Sequence, residues 1–521
     1  MNRFHRSLRS ISGDFHDSIS PKHLGLGLVW AWVYCAWDTP LLFSSREGLS
    51  INSDPSWTVS ATIIVVTLFA SAFLFRKTRP SHNTGLIALA GFFASVGTIL
   101  SATAAHTESI SPLLFYAGAC MTGCGCGLLY ALWGDVFADL EQERVERTVP
   151  LCAAVPILFM LIAPNDGGNP INWLFVGSLP VISAFLLHAC ASSDKASRPH
   201  RANTSPKMNL SKQERAAEAG SFMLVGASIT ISYGVICFLS ASLSKSELSS
   251  AIAVAGGFDV STFLASIVGV AIAMACIMYS IHIDLSSAYR WTIPIVLFSM
   301  ATYTIGTPAA TNVSLSGQAI ADVMLQIIVT VYALSIAQKR GINGAAMMAA
   351  IWGCCQLGIL LGNVAALVIP HIIGSEVAES PSVLLWVSVV FAIGIALLPA
   401  RQWRPASHTL QHVDRNTPHC IDTEKTHSAK QATQAKTHHA APYDGDRTPA
   451  NEPEDFARQN GLTARETEIF ALLVKGRSAP YIRDELFLSK NTVDTHIKHI
   501  YRKLDVHSKQ ELIDAYESRN A

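Results

Sequence analysis

Between residues 24 and 399, long apolar runs alternate with short polar breaks. Twelve of these runs are about as long as a helix that crosses a bilayer, which needs ~20 residues. Their approximate limits are 24–44, 57–75, 84–105, 112–133, 148–163, 171–191, 220–242, 260–281, 291–310, 317–337, 345–369 and 382–399. Peptide groups in lipid must form their hydrogen bonds within the segment, so each run is predicted to be an α-helix.

Basic residues in the polar breaks predict the orientation. If the short basic segment 1–23 lies in the cytoplasm, the outer loops hold only Arg46 and Lys245 as basic residues. The inner segments then hold Arg76, Lys77, Arg79, Arg144, Arg147, Lys195, Arg198, Arg201, Lys207, Lys212, Arg215, Arg290, Lys339, Arg340, Arg401 and Arg404. Positive residues concentrate on the cytoplasmic side of membrane proteins. We therefore expect a multi-pass protein of the cell membrane with both termini in the cytoplasm.

The longest inner loop, 192–219, divides the membrane domain 24–399 into halves 24–191 and 220–399. Two six-helix halves joined by a basic cytoplasmic loop resemble the layout of the major facilitator superfamily. That resemblance implies an all-α bundle of the transporter type. The superfamily carries a Gly-x-x-x-Asp-Arg-x-Gly-Arg-like signature after its second span, whereas residues 76–83 here read Arg-Lys-Thr-Arg-Pro-Ser-His-Asn.

Polar residues recur on one stripe of two predicted spans. Gln318, Asp322 and Gln326 are spaced i, i+4, i+8, and Gln356 and Asn363 are seven residues apart. Ionisable groups at membrane depth are expensive and usually functional. One interpretation is a small-molecule pocket inside the bundle, with Asp322 as its charged member. The alternative is that these side chains form hydrogen bonds between helices.

Small residues and tryptophans predict features of the packing. The pairs Gly123/Gly127 and Gly358/Gly362 allow two helices to approach closely. Seven tryptophans lie mostly near predicted span ends, where an aromatic belt at the membrane surface is expected. They are Trp30, Trp32, Trp37, Trp57, Trp133, Trp291 and Trp386.

Residues 400–455 are rich in Thr, Ala, Pro, Gln and His, with almost no aliphatic residues and no periodicity. This composition predicts a disordered linker. Its histidines are irregularly spaced and fit no zinc pattern, and the 11 cysteines of the chain suggest no disulfide framework. We predict no metal site and no cofactor.

Segment 456–521 is predicted to form a small domain of four short helices. Each helix has its own start or stop signals. These are a capping box at Thr463 and Glu466, a stop at Gly476, caps at Ser478 and Ser489, and a second capping box at Ser508 and Glu511.

The third of these helices has two different faces. Its apolar face consists of Val493, Ile497, Ile500, Tyr501 and Leu504. The opposite face carries Asn491, Asp494, Thr495, Lys498 and Arg502, and a neighbouring stripe carries Thr492, His496, His499 and Lys503. A helix with one docked face and one polar, mostly basic face is suited to the major groove of DNA.

The segment resembles the LuxR-type helix-turn-helix domain. The matching residues are Leu462, Thr463, Arg465, Glu466, Gly476, Ile482, Leu486, Ser489, Thr492, Val493, His496, Lys503, Leu504 and the opening 508–512 of the fourth helix. The resemblance implies binding of double-stranded DNA through the third helix, as a homodimer that packs through the fourth. Positions matching base contacts are Asp494, Thr495 and Lys498, and those matching phosphate contacts include Ser478, Asn491, Thr492 and Lys503.

The full predicted DNA-binding set also includes His496 and Arg502. Residue 494 is commonly Lys in such domains and is Asp here. An Asp side chain accepts from a cytosine amino group but repels phosphate, so an altered operator is expected.

These features predict a membrane-anchored transcription regulator whose bundle senses an unknown small molecule. The alternative is a secondary transporter with a fused regulatory domain, and a third hypothesis is a DNA tether whose bundle senses nothing. Because the sequence shows no nucleophile–base set and no phosphate-binding loop, no catalytic residue is assigned and the protein is not predicted to be an enzyme.

Overall fold

A computed structural model describes residues 20–37, 55–106, 112–162, 169–197, 212–244, 285–396 and 456–520, together with 267, 268, 271 and 275. Within 456–520 it leaves out 458, 475, 478, 487–489 and 507–508. The contacts divide the chain into two units, Met1–Gln411 and His412–Ala521. The predicted linker 400–455 and most of the predicted span 260–281 lie outside the described residues.

The described part of the first unit is built from α-helices. In chain order they are α1 (Gly25–Trp37), α2 (Pro55–Leu74), α3 (Thr84–His106), α4 (Pro112–Phe137), α5 (Gln142–Cys152), α6 (Val155–Ile162), α7 (Pro170–Ser197), α8 (Lys212–Ser244), α9 (Leu285–Tyr303), α10 (Pro308–Arg340), α11 (Gly344–Ile373), α12 (Ser375–Ala378) and α13 (Pro381–Ala396). Two short 3₁₀ helices, Pro21–Leu24 and Pro80–His82, precede α1 and α3.

Among the described residues, 7 helices are long and apolar enough to cross a membrane: α2, α3, α4, α7, α8, α10 and α11. These match predicted spans. Shorter helices α1, α9 and α13 lie at the first, ninth and twelfth predicted spans. Large apolar side chains point away from the bundle, for example Phe185, 69% exposed, and Met223, 76% exposed. Such a surface is expected of helices that face lipid.

Three predicted boundaries are wrong. The run 148–163 is not one helix, because Pro156 has no N–H to donate to the carbonyl of Cys152, and α5 ends there. The run 291–310 ends early at Tyr303, and α10 begins at Pro308 after Gly306, whose φ is +70°. Parts of the predicted loop 192–219 belong to α7 and α8.

The glycine pairs lie where helices approach closely, as predicted. A Cβ on Gly123 would lie 2.6 Å from the carbonyl oxygen of Ser60 on α2, and one on Gly127 would lie 2.9 Å from Cβ of Thr67. On α11, a Cβ on Gly358 or Gly362 would overlap the backbone of α8. These glycines therefore permit helix packing within one chain.

The aromatic-belt prediction is wrong for three tryptophans. Trp30, Trp32 and Trp133 are buried inside the bundle, whereas Trp291 and Trp386 are exposed. Two of these three indoles find partners inside the protein: the N–H of Trp32 donates to Thr98 Oγ1 at 3.0 Å and that of Trp133 to Ser183 Oγ at 2.9 Å, whereas that of Trp30 is buried without a described partner. A satisfied indole can be buried without a lost hydrogen bond.

Polar groups at or just beyond the ends of α2, α4, α10 and α11 connect the two halves of the bundle. Gln338 Nε2 donates to the carbonyl of Leu140 at 2.7 Å, and Asn343 Nδ2 donates to that of Thr78 at 2.7 Å. We call these four residues the interhalf contact. Beside it, Arg79 forms a bidentate pair with Asp139, at 2.8 and 2.5 Å. Loop 76–83, although divergent in sequence, is thus fixed to its neighbours.

In the described part of the second unit, a helical turn at 456–459 precedes the helices α14 (Ala464–Val474), α15 (Ala479–Leu486), α16 (Lys490–Leu504) and α17 (Lys509–Asn520). Its core is formed by Ala457, Leu462, Ile469, Phe470, Leu473, Ile482, Val493, Ile500, Val506 and Leu512. Phe456 stacks on Phe470 with ring centroids 5.3 Å apart, and Tyr516 of α17 contacts both rings edge-on. These contacts attach the fourth helix to the first.

Local signals in the sequence explain the start and end of α14. Thr463 N donates to Glu466 Oε2 at 2.8 Å, and Glu466 N donates to Thr463 Oγ1 at 3.4 Å, which is the predicted capping box. Gly476, with φ of +77°, ends the helix through a bond from its N–H to the carbonyl of Leu473. Ser478, Ser489 and Ser508 lie outside the described residues.

Candidate DNA-binding surface and membrane cavity

Helix α16 has the two faces that its sequence predicts. Val493 and Ile500 are buried, and Ile497, Tyr501 and Leu504 pack against the same core. On the opposite face of α16, three of the predicted DNA-contact residues have described side chains. They are Thr495, Lys498 and Arg502, and all three are exposed. Two cations and a hydroxyl are therefore presented on the undocked face, as contact with DNA requires.

The structure describes the other predicted contact residues less completely. Asn491, Thr492 and Asp494 belong to α16 by their backbone, but their side chains lie outside the described part. Ser478 also lies outside it. His496 is partly buried, and its Nδ1 is enclosed without a hydrogen-bond partner among the described groups. These assignments to DNA contacts remain predictions.

Lys503 has a structural contact that the sequence did not reveal. Its Nζ donates to Glu466 Oε2 at 2.7 Å and to the carbonyl of Gly461 at 2.9 Å. Glu466 is buried, with 3% of its surface exposed. Burial by itself raises the pKa of Glu466, but hydrogen bonds from Lys503 and Thr463 outweigh it and lower the pKa from 4.5 to about 2. The capping box of α14 and the end of α16 are thereby joined.

A cavity of about 320 Å³ lies between the two halves of the bundle. Residues of α1, α2, α4 and α6 line it from the first half, and residues of α8, α10 and α11 line it from the second. All of the residues predicted to form a pocket line it, namely Gln318, Asp322, Gln326, Gln356 and Asn363. Two stripes that the sequence placed on separate helices thus meet in one cavity large enough for a small molecule.

Several polar groups of the cavity have unused hydrogen-bonding capacity, both acceptors and the donors Trp30 Nε1, Ser60 Oγ and Tyr233 Oη. Gln318 Nε2 donates to Ser299 Oγ of α9 at 3.1 Å, while its Oε1 is buried without a partner. Asn363 Nδ2 donates to the carbonyl of Ile359 at 2.9 Å, while its Oδ1 is likewise unpaired. Asp322 has neither a hydrogen bond nor an ion pair among the described residues. Helix-to-helix bonding therefore accounts for part of Gln318 only.

Aromatic residues form much of the remaining lining, and sequence patterns did not identify them. They include Trp30, Trp57, Tyr130, Tyr233 and Trp352. The rings of Tyr130 and Trp352 stack at 4.2 Å between centroids, and Trp30 lies 6.4 Å from Trp352. In an apolar span a ring on the cavity face and a ring on the lipid face look alike, so only helix packing separates them.

Comparison with known proteins supports the identity of the second unit. Residues 460–516 match the family described as bacterial regulatory proteins, luxR family. The spore germination protein GerE of Bacillus subtilis (strain 168) is 37% identical over 60 residues, which are 12% of this chain and 81% of that protein. The response regulatory protein YgeK of Escherichia coli (strain K12) is 47% identical over 58 residues, 11% of this chain and 40% of its own length.

Another Bacillus relative is also similar to this chain over the DNA-binding domain alone. The transcriptional regulatory protein LiaR of Bacillus subtilis (strain 168) is 39% identical over 67 residues, 13% of this chain and 31% of its own length.

Among solved structures, a bacterial homologue of the iron transporter ferroportin is 14% identical, with a TM-score of 0.49, and the match covers 72% of this chain and 98% of that one.

A helix-turn-helix domain with an exposed polar third helix, the kind of domain that binds DNA, lies on the same chain as helices long and apolar enough to cross a membrane. The chain belongs to the luxR family of bacterial regulatory proteins.

Proposed function

We propose that this protein is a one-chain sensor and transcription regulator of the cell membrane. A small molecule binds in the cavity of the bundle, and the luxR domain binds operator DNA as a homodimer, with both termini in the cytoplasm. The observation that carries the proposal is the cavity itself, because it gathers the polar residues of α10 and α11 between the two halves. A sensor and regulator combined in one chain needs such an effector site on the chain that binds DNA.

The proposed switch follows from the position of the cavity relative to the interhalf contact. Gln338 lies 16 residues after Asp322 on α10, about 24 Å along the helix axis. A ligand held between the halves changes the free-energy difference between two arrangements of the halves, to the extent that it binds one better. The DNA-binding output then changes through pairing of two domains, which raises the effective concentration of the second.

The sensor part is tested with a reporter. Genomic footprinting of the native chain identifies operators, and a reporter joined to one of them is read against a panel of small molecules. We expect a compound-dependent change with the native chain that Asp322→Asn loses. Glu376→Gln, a change of an exposed carboxylate on α12, should retain the response. An unaltered response in the Asp322 variant at equal membrane level would remove Asp322 from the effector site.

A cavity between two halves also suits the alternative function, a transporter with a fused regulatory domain. Membrane vesicles separate the two proposals. Uptake or efflux of a compound that depends on Asp322 would favour transport. Loss of reporter output without any change in flux supports the sensor.

Lys498→Ala is expected to weaken operator binding by about 1–3 kcal/mol and to relax the base preference at one position. The reason is that Lys498 is exposed on α16, at a position that matches a base contact of the family. Gel-shift titrations against the operator and single-base variants measure both effects. If affinity and selectivity stay unchanged, the proposed orientation of α16 on DNA is wrong.

A further inference from the structure

The membrane cavity contains one carboxyl group, that of Asp322, and no described lining residue carries a positive charge to pair with it. Asp322 is the one Asp or Glu among the described lining residues, and no Lys, Arg or His lines the cavity with it. A carboxylate removed from water is costly unless a cation or several donors reach it. When Asp322 is ionised, a cationic occupant would supply the positive charge that the described lining lacks.

Two unpaired oxygens in the lining also favour an occupant that carries hydrogen-bond donors, while the N–H of Trp30 and the hydroxyls of Ser60 and Tyr233 can donate to it. The side-chain oxygens Gln318 Oε1 and Asn363 Oδ1 are buried acceptors without partners. The carboxylate of Asp322 would repel a negatively charged occupant. A neutral apolar occupant would leave all of these oxygens without donors, which makes it a poor ligand.

The aromatic walls indicate what kind of cation fits. Trp30, Tyr130 and Trp352 form one continuous ring cluster on α1, α4 and α11, and Tyr233 lines the cavity from α8. Aromatic faces attract cations, most strongly when the site is desolvated. Ca²⁺ and Mg²⁺ take six or more oxygen ligands at short distances, whereas this cavity measures about 320 Å³ and is largely ring-lined, with Asp322 as the one carboxylate of its described lining. Its volume and walls suit an organic molecule.

We propose that the cavity binds an organic cation, either a protonated amine or a quaternary ammonium compound with an apolar body. Asp322 is the counter-ion, the rings enclose the charged group and the body, and the oxygens of Gln318 and Asn363 accept from any N–H or O–H that the ligand carries. This assigns the ligand class of the sensor proposed above, and its regulatory consequence rests on that proposed function.

The test measures direct binding of small probes to the full chain in non-ionic detergent. Calorimetry and the fluorescence of the cavity tryptophans report the binding. The probes are phenyltrimethylammonium, its neutral isostere tert-butylbenzene and the anion benzenesulfonate. We expect saturable binding of the cation and much weaker binding of the other two. This comparison uses the native protein alone, so it holds even if a variant fails to fold.

The matched variants are Asp322→Asn, which removes the charge and keeps the shape, and Glu376→Gln, which removes an exposed carboxylate outside the cavity lining. Asp322→Asn is expected to weaken binding of the cation by about tenfold or more and to leave tert-butylbenzene unchanged. Glu376→Gln should bind all three probes as the native chain does.

Two results would overturn the ligand class: preference for benzenesulfonate or tert-butylbenzene, or no saturable binding of the cation at millimolar concentrations. The binding assay contains no DNA, so it can succeed while the regulatory proposal fails. Cation binding without any reporter response would refute sensing and keep the ligand class. A reporter response that depends on Asp322, together with binding of anions alone, would refute the ligand class and keep sensing.

Discussion

Gly358→Val is expected to prevent α11 from packing against α8, with a loss of about 3 kcal/mol or more in the stability of the bundle. A Cβ at this position would overlap the carbonyl oxygen of Thr230 and lie 2.8 Å from Cβ of Tyr233. Backbone atoms cannot rotate away as a flexible side chain can. The helices must separate, and the cavity, which Tyr233 lines, must change shape.

The melting temperature and the monodisperse yield of the full chain in detergent measure this effect. Gly394→Val on α13 is the matched control, because a Cβ there meets nothing within 4 Å. We expect the control to behave like the native chain. Equal melting temperatures for the Gly358 and Gly394 variants would show that α8 and α11 are not in such close contact.

Lys503→Ala is expected to lower the free energy of unfolding of the luxR domain by about 1–3 kcal/mol. The substitution leaves the buried carboxylate of Glu466 without its ammonium partner and frees the carbonyl of Gly461. Urea unfolding of the isolated segment 456–521 measures this loss of free energy. That segment has its own core, and it matches most of GerE, a protein little longer than the domain. Lys498→Ala, which removes an exposed cation of the same helix, should leave stability unchanged.

The pH dependence provides a second measurement of the same contact. Because the pKa of Glu466 is lowered from 4.5 to about 2 on folding, its contribution is complete above pH 4.5 and is lost as the pH falls towards 2. We expect Lys503→Ala to flatten the stability profile in that range. A parallel profile, shifted by a constant, would mean that the ion pair does not set the pKa of Glu466.

The ammonium of Lys503 can also serve its predicted role on DNA. It has three N–H donors, and two of them are used within the domain. One donor remains for a phosphate oxygen. If that donor binds a phosphate, the slope of the logarithm of the operator-binding constant against the logarithm of salt concentration is expected to fall in magnitude by about one in the Lys503 variant. The measurement is made under conditions in which both proteins stay folded.

The sequence was most informative where the signal is local. The capping box at Thr463 and Glu466 and the stop at Gly476 are read from neighbouring residues, and both are confirmed. The apolar period of α16 predicted which side docks, because burial of a whole helix face dominates its orientation. Prediction failed at span boundaries such as 148–163, where hydropathy stays high on both sides of Pro156 while the helix does not continue.

The lining of the membrane cavity was only partly predictable, because local sequence patterns identify some of its residues and not others. The stripe of Gln318, Asp322 and Gln326 follows from helical spacing, since a polar residue in an apolar run is conspicuous. Trp30 and Trp352 are not conspicuous in such a run. The sequence suggested a membrane-surface position for Trp30, whereas the structure buries it beside Trp352.

By itself, the sequence determined that an apolar, helical membrane domain is joined to a luxR-type reader of DNA, and which face of the reading helix is exposed. These properties depend on hydrophobic periodicity and on capping between residues that are close in the chain. The tertiary structure decided that α10 and α11 bring their polar stripes to one ring-lined cavity, and that Lys503 binds Glu466. Those contacts join residues far apart in sequence, and their formation depends on how whole helices pack, which no local pattern encodes.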